Sequence, residues 1–427
     1  MTTLRFLKSR RRAFATALVV WAIGLSILVL SAIQLAAWRQ AADGREALAR
    51  VRARWAARAG VEAVIARLQA EFDAASPLGA QSLVASLATV STGTLRQASY
   101  EVNHDTPTGR VLGVADAGAK INVNVATFDD LMLLPDMTED VADAIVDWID
   151  TDEEVSEAGA ESESYGGLAS AYRTRNAPVP DLGEIELVLG VRREYLYGAA
   201  APSAGPVRAS AATDGWAKFL TGSSIAGGLS ASGQERIDLS TAAAQDVVAA
   251  AGVDQTQAEA IVSHASSGSA SMADFIRTDL ATLAQASGGT TPGRAQPSAL
   301  SRDELVQLLA ECTIGDPAVL NPGKLNVNTA DDETLEYLAA LSPTLRDALV
   351  LFRDQQGGDI ASIADLLDIP QMSRDALADL FPFIDVRSNV FHMRSVGRDE
   401  ATGLSVELLV EVDRSSNPVV IRSLAAR

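Results

Sequence analysis

The longest apolar stretch of the chain lies near its start. From Ala13 to Trp38 the sequence runs AFATALVVWAIGLSILVLSAIQLAAW, which contains no charged side chain. About 20 apolar residues are enough for a helix to cross a bilayer, whereas a cleaved secretory signal has an apolar core of about 7 to 15 residues. The pattern therefore predicts a transmembrane helix at 14–38 rather than a secretory signal.

Beyond the span, apolar and charged positions alternate with helical spacing and without an internal proline. This pattern predicts that the helix continues over residues 39–75. The first twelve residues carry five basic groups and no acid, which favours a cytoplasmic N-terminus, although seven arginines between Arg39 and Arg67 reduce the charge asymmetry. We expect the rest of the chain to lie on the far side of the membrane.

Two regions have the period-two pattern of β-strands. Residues 98–125 read as a hairpin, and VFHMRSVG, SVELLVEV and PVVIRSL follow Asp385 as three strands separated by turn-rich spacers. Strands thus stand on both sides of a long helical region. We predict an α+β fold in which a long N-terminal transmembrane helix packs on a small antiparallel pilin-like sheet, and a helical domain is inserted between the strands.

The helical region contains three copies of one pattern. KINVNVATFDDLMLLPDM begins at Lys120, RIDLSTAAAQDVVAAAGV at Arg236 and KLNVNTADDETLEYLAAL at Lys324. Each copy has a short extended entry followed by two helical segments, so we predict three helix-hairpin-helix-like units. Small-residue, Gly- and Pro-rich stretches at 200–235 and 286–297 read as linkers or long loops around the second unit.

Charge argues against a nucleic-acid partner. The formal net charge is −20, and between Ile121 and Tyr172 there are fourteen acidic residues and no Lys or Arg. A phosphate-binding hairpin needs glycine for close backbone approach and positive charge nearby, yet the hairpins at 134–137 and 341–343 lack glycine. We therefore predict packing modules that do not bind nucleic acid.

An acidic loop follows the second helix of the first unit. Eight carboxylates between Asp147 and Glu163 repel one another unless they are neutralised. Asp150, Asp152, Glu154 and Glu161 have the spacing of positions 1, 3, 5 and 12 of a calcium-binding EF-hand loop, but Val155 stands where the EF-hand needs glycine. The alternatives are a calcium site of another geometry and a solvated acidic loop.

The sequence contains no catalytic signature. It has no nucleophile elbow, P-loop, dinucleotide fingerprint or zinc motif, and only three histidines and one cysteine, Cys312. We predict a protein that is not an enzyme and has no small-molecule substrate.

The N-terminus resembles those of type IV pilins and pseudopilins: a short basic leader, then Ala13 and Phe14, then an apolar helix. Leu18 replaces the glutamate found five residues into most mature pilins. Absence of this glutamate is typical of the GspK-type minor pseudopilins of type II secretion. The chain also resembles these proteins in Trp21, DAIVDWID, Asn176-Ala177-Pro178 and KLNVNTA. The resemblance implies cleavage by prepilin peptidase between Ala13 and Phe14. It also implies a structural calcium ion held by ligands from Asp147, Asp150, Asp152, Glu154 and Glu161.

The same resemblance implies a function. A GspK-like subunit would join other minor pseudopilins in a pseudopilus tip complex that supports export of folded proteins, anchored in the inner membrane with its body in the periplasm. The alternative is a membrane-anchored helix-hairpin-helix protein for DNA binding or uptake. The predicted segments are a leader (1–13), the transmembrane helix (14–38), its continuation (39–75), pilin-like strands (76–119), the first helical repeat with the acidic loop (120–199), linkers with the second repeat (200–322), the third repeat (323–384) and C-terminal pilin-like strands (385–427).

Overall fold

One helix dominates the N-terminal part of the computed structural model, which describes residues 3–72, 74, 77–106, 109–198, 215–230, 233–286, 296–357 and 359–426. Helix α1 (Thr3–Phe72) runs unbroken for 70 residues, or ~105 Å at 1.5 Å per residue. In its apolar part, the hydroxyls of Ser26 and Ser31 donate to the carbonyls of Ala22 and Ile27, each at 2.8 Å. These bonds satisfy the hydroxyls in a segment without charged side chains. We call α1 the stem.

A short helix and an antiparallel sheet follow the stem. Helix α2 (Ala80–Thr89) precedes seven paired strands: β1 (Thr92–Leu95), β2 (Ala98–Thr106), β3 (Gly109–Leu112), β4 (Ala115–Asp116), and, near the C-terminus, β13 (Val390–Asp399), β14 (Ser405–Asp413) and β15 (Val420–Ala426). The strand order is β1-β2-β13-β14-β15, with β3 beside β2 and β4 beside β13. The predicted strands on both sides of the helical region thus join in one sheet, as expected.

The stem packs across this sheet through one apolar face. Val61, Val64 and Leu68 lie in one apolar core with residues from α2, β2, β13 and β14. Towards the N-terminal end of this contact the buried stem residues are alanines, and the Ser395 hydroxyl donates to the Ala57 carbonyl at 2.7 Å. Small residues let the helix backbone approach the strands closely.

The insertion between β4 and β13 is mainly helical. Its elements are β5 (Ile121–Asn122), α3 (Phe128–Met132), α4 (Glu139–Ile149), α5 (Ser162–Gly166), α6 (Arg193–Tyr197), β6 (Leu220–Thr221), β7 (Ile225–Ala226), β8 (Ile237–Asp238), α7 (Ala244–Ala251), α8 (Gln255–Ala265), α9 (Met272–Arg277), α10 (Leu280–Ala286), α11 (Arg302–Glu311), β9 (Cys312–Thr313), β10 (Asn321–Pro322), β11 (Leu325–Asn326), α12 (Pro343–Gln355), α13 (Arg374–Leu380) and β12 (Ile384–Asp385). Among the described residues, 3₁₀ turns connect or flank them at 117–119, 123–125, 182–187, 216–218, 334–337 and 363–368. The structure therefore confirms the predicted α+β class.

Each of the three units is closed by a parallel pair of two-residue strands. The entry strands β5, β8 and β11 pair with β6, β9 and β12, respectively. In every entry strand the second residue accepts a hydrogen bond from the backbone N–H two positions later, through the side chains of Asn122, Asp238 and Asn326. The three sequence copies are thus one structural repeat.

Part of the region predicted as a linker belongs to the core. Residues 200–214, 231–232 and 287–295 lie outside the described residues, but 215–226 pack into the insertion. Trp216 is 2% exposed and its indole N–H donates to the Pro135 carbonyl at 2.8 Å. A Cβ at position 215 would lie 2.4 Å from the Leu196 carbonyl oxygen. Gly215 is therefore needed for close packing rather than for flexibility.

Candidate metal centre in the acidic loop

Helix α4 carries the first acidic ligand candidate into the protein interior. Its apolar face buries Val141, Ile145 and Trp148, and Asp147 beside them is also fully buried. The loop after the helix folds over this carboxylate, and the Ser156 N–H donates to both of its oxygens at 3.2 Å. A Cβ at position 159 would lie 2.1 Å from Asp147 Oδ2, so Gly159 is what permits this closure.

Two further carboxylates converge on Asp147. Asp150 is the C-terminal cap of α4, and Glu161 is the N-terminal cap of α5. Single carboxylate oxygens of Asp147, Asp150 and Glu161 all lie within 4.8 Å of one another. Glu161 is 2% exposed, and its Oε2 accepts from the Thr174 hydroxyl at 3.0 Å.

Several oxygens in this region are buried without a hydrogen-bond donor. Asp150 Oδ1, Glu161 Oε1 and Asn176 Oδ1 have no partner within the described part of the chain. Asn176 has a left-handed backbone (φ 47°), its N–H donates to the Trp148 carbonyl at 3.1 Å, and its Nδ2 donates to the Asp152 carbonyl. These contacts tie Asn176 to both ends of the turn that holds Asp150. Buried acceptors without donors are costly, and a cation would satisfy them.

The electrostatics of the cluster also favour a cation. Burial, and then the neighbouring Asp152 and Asp147 carboxylates, raise the pKa of Asp150. Burial raises the pKa of Glu161, with further contributions from Asp147, Asp150 and Glu153. Because desolvation and mutual repulsion both penalise the ionised forms, a divalent ion bound among these oxygens would relieve both.

The predicted ligands divide into two groups. Asp147, Asp150 and Glu161 come together, whereas Asp152 and Glu154 are exposed on the outer side of the loop. Asp152 Oδ1 accepts from the Glu154 N–H at 2.8 Å and so stabilises the turn. Asn176, whose Oδ1 is buried without a donor among the described residues, was not in the predicted set. The signal for Asn176 in the sequence was an asparagine directly before Ala177-Pro178. Asparagine is one of the few residues that readily adopt a positive φ.

An aromatic group lies against the acidic cluster. The ring of Trp148 meets Tyr165 edge-on, with centroids 5.2 Å apart, and Tyr172 lies 6.1 Å from Trp148. Burial raises the pKa of Tyr165 to about 12, so its hydroxyl stays protonated at neutral pH. This arrangement places an indole beside the metal candidate residues.

The residues predicted for N-terminal processing lie in the stem. Phe14 is 70% exposed on α1, and the Ala13 side chain lies outside the described ones. Within the described ranges, one helix is long and apolar enough to cross a membrane, and none of its apolar window is buried by protein. The helix therefore fits a single-pass anchor.

Comparison with known proteins agrees with the predicted resemblance. Residues 112–202 match the family model of type II secretion system protein K, first domain, and residues 321–385 match that of the helix-hairpin-helix motif. Among solved structures, the crystal structure of the GspK-GspI-GspJ complex from the enterotoxigenic Escherichia coli type II secretion system matches with 13% identity and a TM-score of 0.45, covering 90% of this chain and 99% of that chain. No curated protein sequence matches. The protein K match confirms the resemblance over the region that contains the metal candidate.

Proposed function

We propose that this chain is a minor pseudopilin of a type II secretion system and acts in the tip complex of the pseudopilus. The observation that carries the proposal is the match of residues 112–202 to type II secretion protein K, in a chain whose apolar stem packs on an antiparallel sheet. Its partners are other minor pseudopilins. The chain acts as a subunit of an assembly rather than as an enzyme, and it has no small-molecule substrate.

The proposal assigns a topology to the chain. Prepilin peptidase removes residues 1–13, and the mature chain begins at Phe14, spans the inner membrane once and holds its body in the periplasm. At position 18 an ordinary pilin carries a glutamate that pairs with a neighbour's N-terminal amine, which Leu18 cannot do. A subunit without this pairing needs no subunit beneath it in the same register, which suits the first position of the assembly.

Calcium would have a structural role in this protein. The carboxylates of Asp147, Asp150 and Glu161 and the amide oxygen of Asn176 supply the oxygen ligands that calcium prefers. The ion would neutralise the cluster and fix the loop between α4 and α5. The support is the set of buried acceptors without donors at Asp150, Glu161 and Asn176.

Secretion in a deletion strain tests the proposal. Cells that lack this chain should retain the secreted proteins of their type II system, and the full chain should restore export. N-terminal sequencing of the membrane-extracted protein should give Phe14, whereas Met1 or Thr2 would contradict the processing step. Normal secretion without the chain would overturn the proposed function.

DNA binding is the second candidate because residues 321–385 match the helix-hairpin-helix model. This unit has twelve acidic residues against four basic ones. The basic side chains are occupied: Lys324 donates to Phe381 O, Arg346 and Arg353 form ion pairs, and Arg374 donates to Ile276 O. Phosphate binding requires free positive charge, so we expect no mobility shift of duplex DNA at low salt.

A further inference from the structure

A cavity lies where the end of the stem meets the sheet and the third unit. It has a volume of about 250 Å³, and its apolar walls include Phe72 at the end of α1, Leu83 of α2 and Phe391 of β13. Arg387 and Arg414 line the same space. The cavity thus combines an apolar surface with two cationic side chains. We call it the Arg414 cavity.

Both arginines are held in place through their backbones. The Arg387 N–H donates to Asp385 Oδ1 at 3.3 Å, and the Arg414 N–H donates to the Asn389 carbonyl at 2.8 Å. The amide of Asn389 in turn donates to the Ile225 carbonyl at 3.1 Å. The fold therefore fixes the points from which the two side chains reach the cavity.

The two guanidinium groups have no anionic partner in the described part of the chain. The Arg387 side chain is exposed to solvent, and that of Arg414 is half-buried with its guanidinium over the Phe72 ring, 5.4 Å from the centroid. Burial lowers the pKa of both arginines, and Arg387 lowers the pKa of Arg414 further, against the opposing charge of Glu71. Two like charges at one cavity are unfavourable, and an anion between them would relieve their repulsion.

The carboxylates around the Arg414 cavity already have donors within the fold. Glu71 forms an ion pair with Arg67 at 2.5 Å. Asp359 accepts from two backbone N–H groups in the first turn of α2, at 2.9 and 3.2 Å. Asp116 accepts from the Ser388 hydroxyl at 2.6 Å and from other donors around it. These acids are engaged elsewhere, so the arginines remain available to an anion from outside the chain.

Lipid headgroups are too far away to supply that anion. The predicted span ends at Trp38, and Phe72 lies ~50 Å further along the unbroken stem. The headgroup layer on each side of the hydrocarbon core is only about 5–7 Å thick. The anion must therefore come from a molecule outside the membrane.

A larger cleft adjoins the Arg414 cavity. It has a volume of about 1030 Å³, and Leu229, Val386 and Arg387 line both spaces. Arg236 lines the cleft, where its Nε donates to the Leu229 carbonyl at 3.2 Å and its side chain forms no ion pair with the described residues. An extended chain can thus run through the cleft and past Arg387 into the cavity, which a compact anion would leave mostly empty.

We propose that the Arg414 cavity binds a peptide segment of another protein in which Asp or Glu stands next to an apolar residue. The carboxylate accepts hydrogen bonds from Arg387 and Arg414, whose planar donor groups match carboxylate geometry. The adjacent apolar side chain packs against Phe72 and Leu83, and the rest of the segment lies in the cleft. This binding needs no other pseudopilin subunit, so it is independent of the proposed function.

Fluorescence anisotropy with the detergent-solubilised full chain tests the site. The probes are labelled pentapeptides with a central glutamate between leucine or phenylalanine residues, and the matched peptides carry glutamine at the centre. We expect saturable binding of the glutamate peptides, weaker at high salt, and at least about 10-fold weaker binding of the glutamine peptides. Equal binding of the two sets, or no binding of either, would overturn the proposal. So would displacement of the peptide by an equal concentration of acetate, which would indicate a site for simple anions.

Variants of the chain test which groups bind the peptide. Arg387→Gln and Arg414→Gln should each weaken binding of the glutamate peptides by about 10-fold or more. Ala361 lines both the cavity and the cleft, so Ala361→Trp should block binding while both arginines remain. Arg398→Gln, the same charge change at an exposed position of β13, is the control and should leave binding unchanged.

The melting temperature without peptide separates a binding role of the arginines from a structural one. Neither side chain has an ion-pair partner among the described residues, so Arg387→Gln and Arg414→Gln should melt at the wild-type temperature or above it. A lower melting temperature of both variants, with unchanged peptide binding, would show that the arginines serve the fold and would overturn the proposal.

Discussion

Gly397 of β13 lies against the stem backbone at Ala53. A Cβ at position 397 would be 1.9 Å from the Ala53 carbonyl oxygen and 2.3 Å from the Ala57 nitrogen. The Arg52–Asp399 ion pair, 3.5 Å long, lies next to this contact. The register between stem and sheet therefore depends on a position where only hydrogen fits.

Gly397→Ala should separate the stem from the sheet. The added methyl group must displace helix backbone, which cannot rearrange as a side chain can, and overpacking of this kind costs about 1–3 kcal/mol or more. We expect a lower melting temperature of the detergent-solubilised chain by circular dichroism. Gly166→Ala is the control because a Cβ there meets no atom within 4 Å. An equal effect of both substitutions would contradict the close-packing argument.

Calcium should stabilise the protein through three of the five predicted carboxylates. At a calcium concentration 100 times the dissociation constant, binding adds about 2.7 kcal/mol to the free energy of unfolding. We expect the melting temperature to rise with calcium over chelator in the wild type. Asp150→Asn and Glu161→Gln should abolish that rise, because each removes the charge of a carboxylate in the cluster.

Asp152→Asn and Glu154→Gln are the matched controls for the calcium experiment, since both side chains are exposed outside the cluster. Terbium bound in the site should be sensitised by Trp148, and Trp148→Phe should remove that luminescence. Loss of the calcium effect in the Glu154 variant would favour the EF-hand-like spacing over the observed cluster.

Asn328 should be essential to the third unit. Its Nδ2 donates to the carbonyls of Ile360 and Val386 at 2.9 and 3.0 Å, and its Oδ1 accepts from the Ile360 N–H at 2.9 Å. Asn328→Asp keeps the shape but cannot donate, so a buried charge faces two carbonyl oxygens. We expect a loss of at least about 2 kcal/mol in urea unfolding. Asn321→Asp, at an exposed position, should have little effect.

The sequence predicted the elements whose patterns are local. Helix α4 (Glu139–Ile149) is the second helical segment predicted for the first unit, and β13 and β14 begin where their alternating patterns begin. It did not predict the strand pairs that close the units, because two-residue strands carry no periodicity and Ile121 and Leu220 are far apart in sequence. Segment 215–226 was misassigned because glycine and serine are common both in linkers and where backbones pack closely.

The sequence predicted the candidate metal site only in part. Acidic density located the loop, but which carboxylates turn inward depends on Gly159 and Ser156 closing over Asp147. Asn176 comes to the loop from a later segment, through contacts with Trp148 and Asp152 that no spacing rule describes.

Lys120 and Lys324 should make the free energy of unfolding depend on pH in the alkaline range. They occupy equivalent positions in the first and third units, and their ammonium groups donate to the carbonyls of Ala217 and Phe381 at 2.5 Å. Burial lowers the pKa of each lysine to about 8, against the partly compensating charges of Asp331 and Asp385. In the unfolded chain the pKa of lysine is about 10.4. Between these values the unfolded state binds more protons, so the free energy of unfolding rises with pH.

We therefore expect the wild type to gain stability relative to Lys120→Met/Lys324→Met as pH rises from 7 to 10, by on the order of 2 kcal/mol per lysine at most. Urea unfolding of the detergent-solubilised full chain at both pH values measures this difference. Lys218→Met is the control, because Lys218 forms an ion pair with the exposed Glu333 at the protein surface. A wild type that loses stability relative to the double variant over this range would show that the ammonium groups are stabilised rather than penalised by their surroundings. The lysines would then act as ionic anchors of the two units, and the repeat would be held by charge as well as by its asparagine contacts.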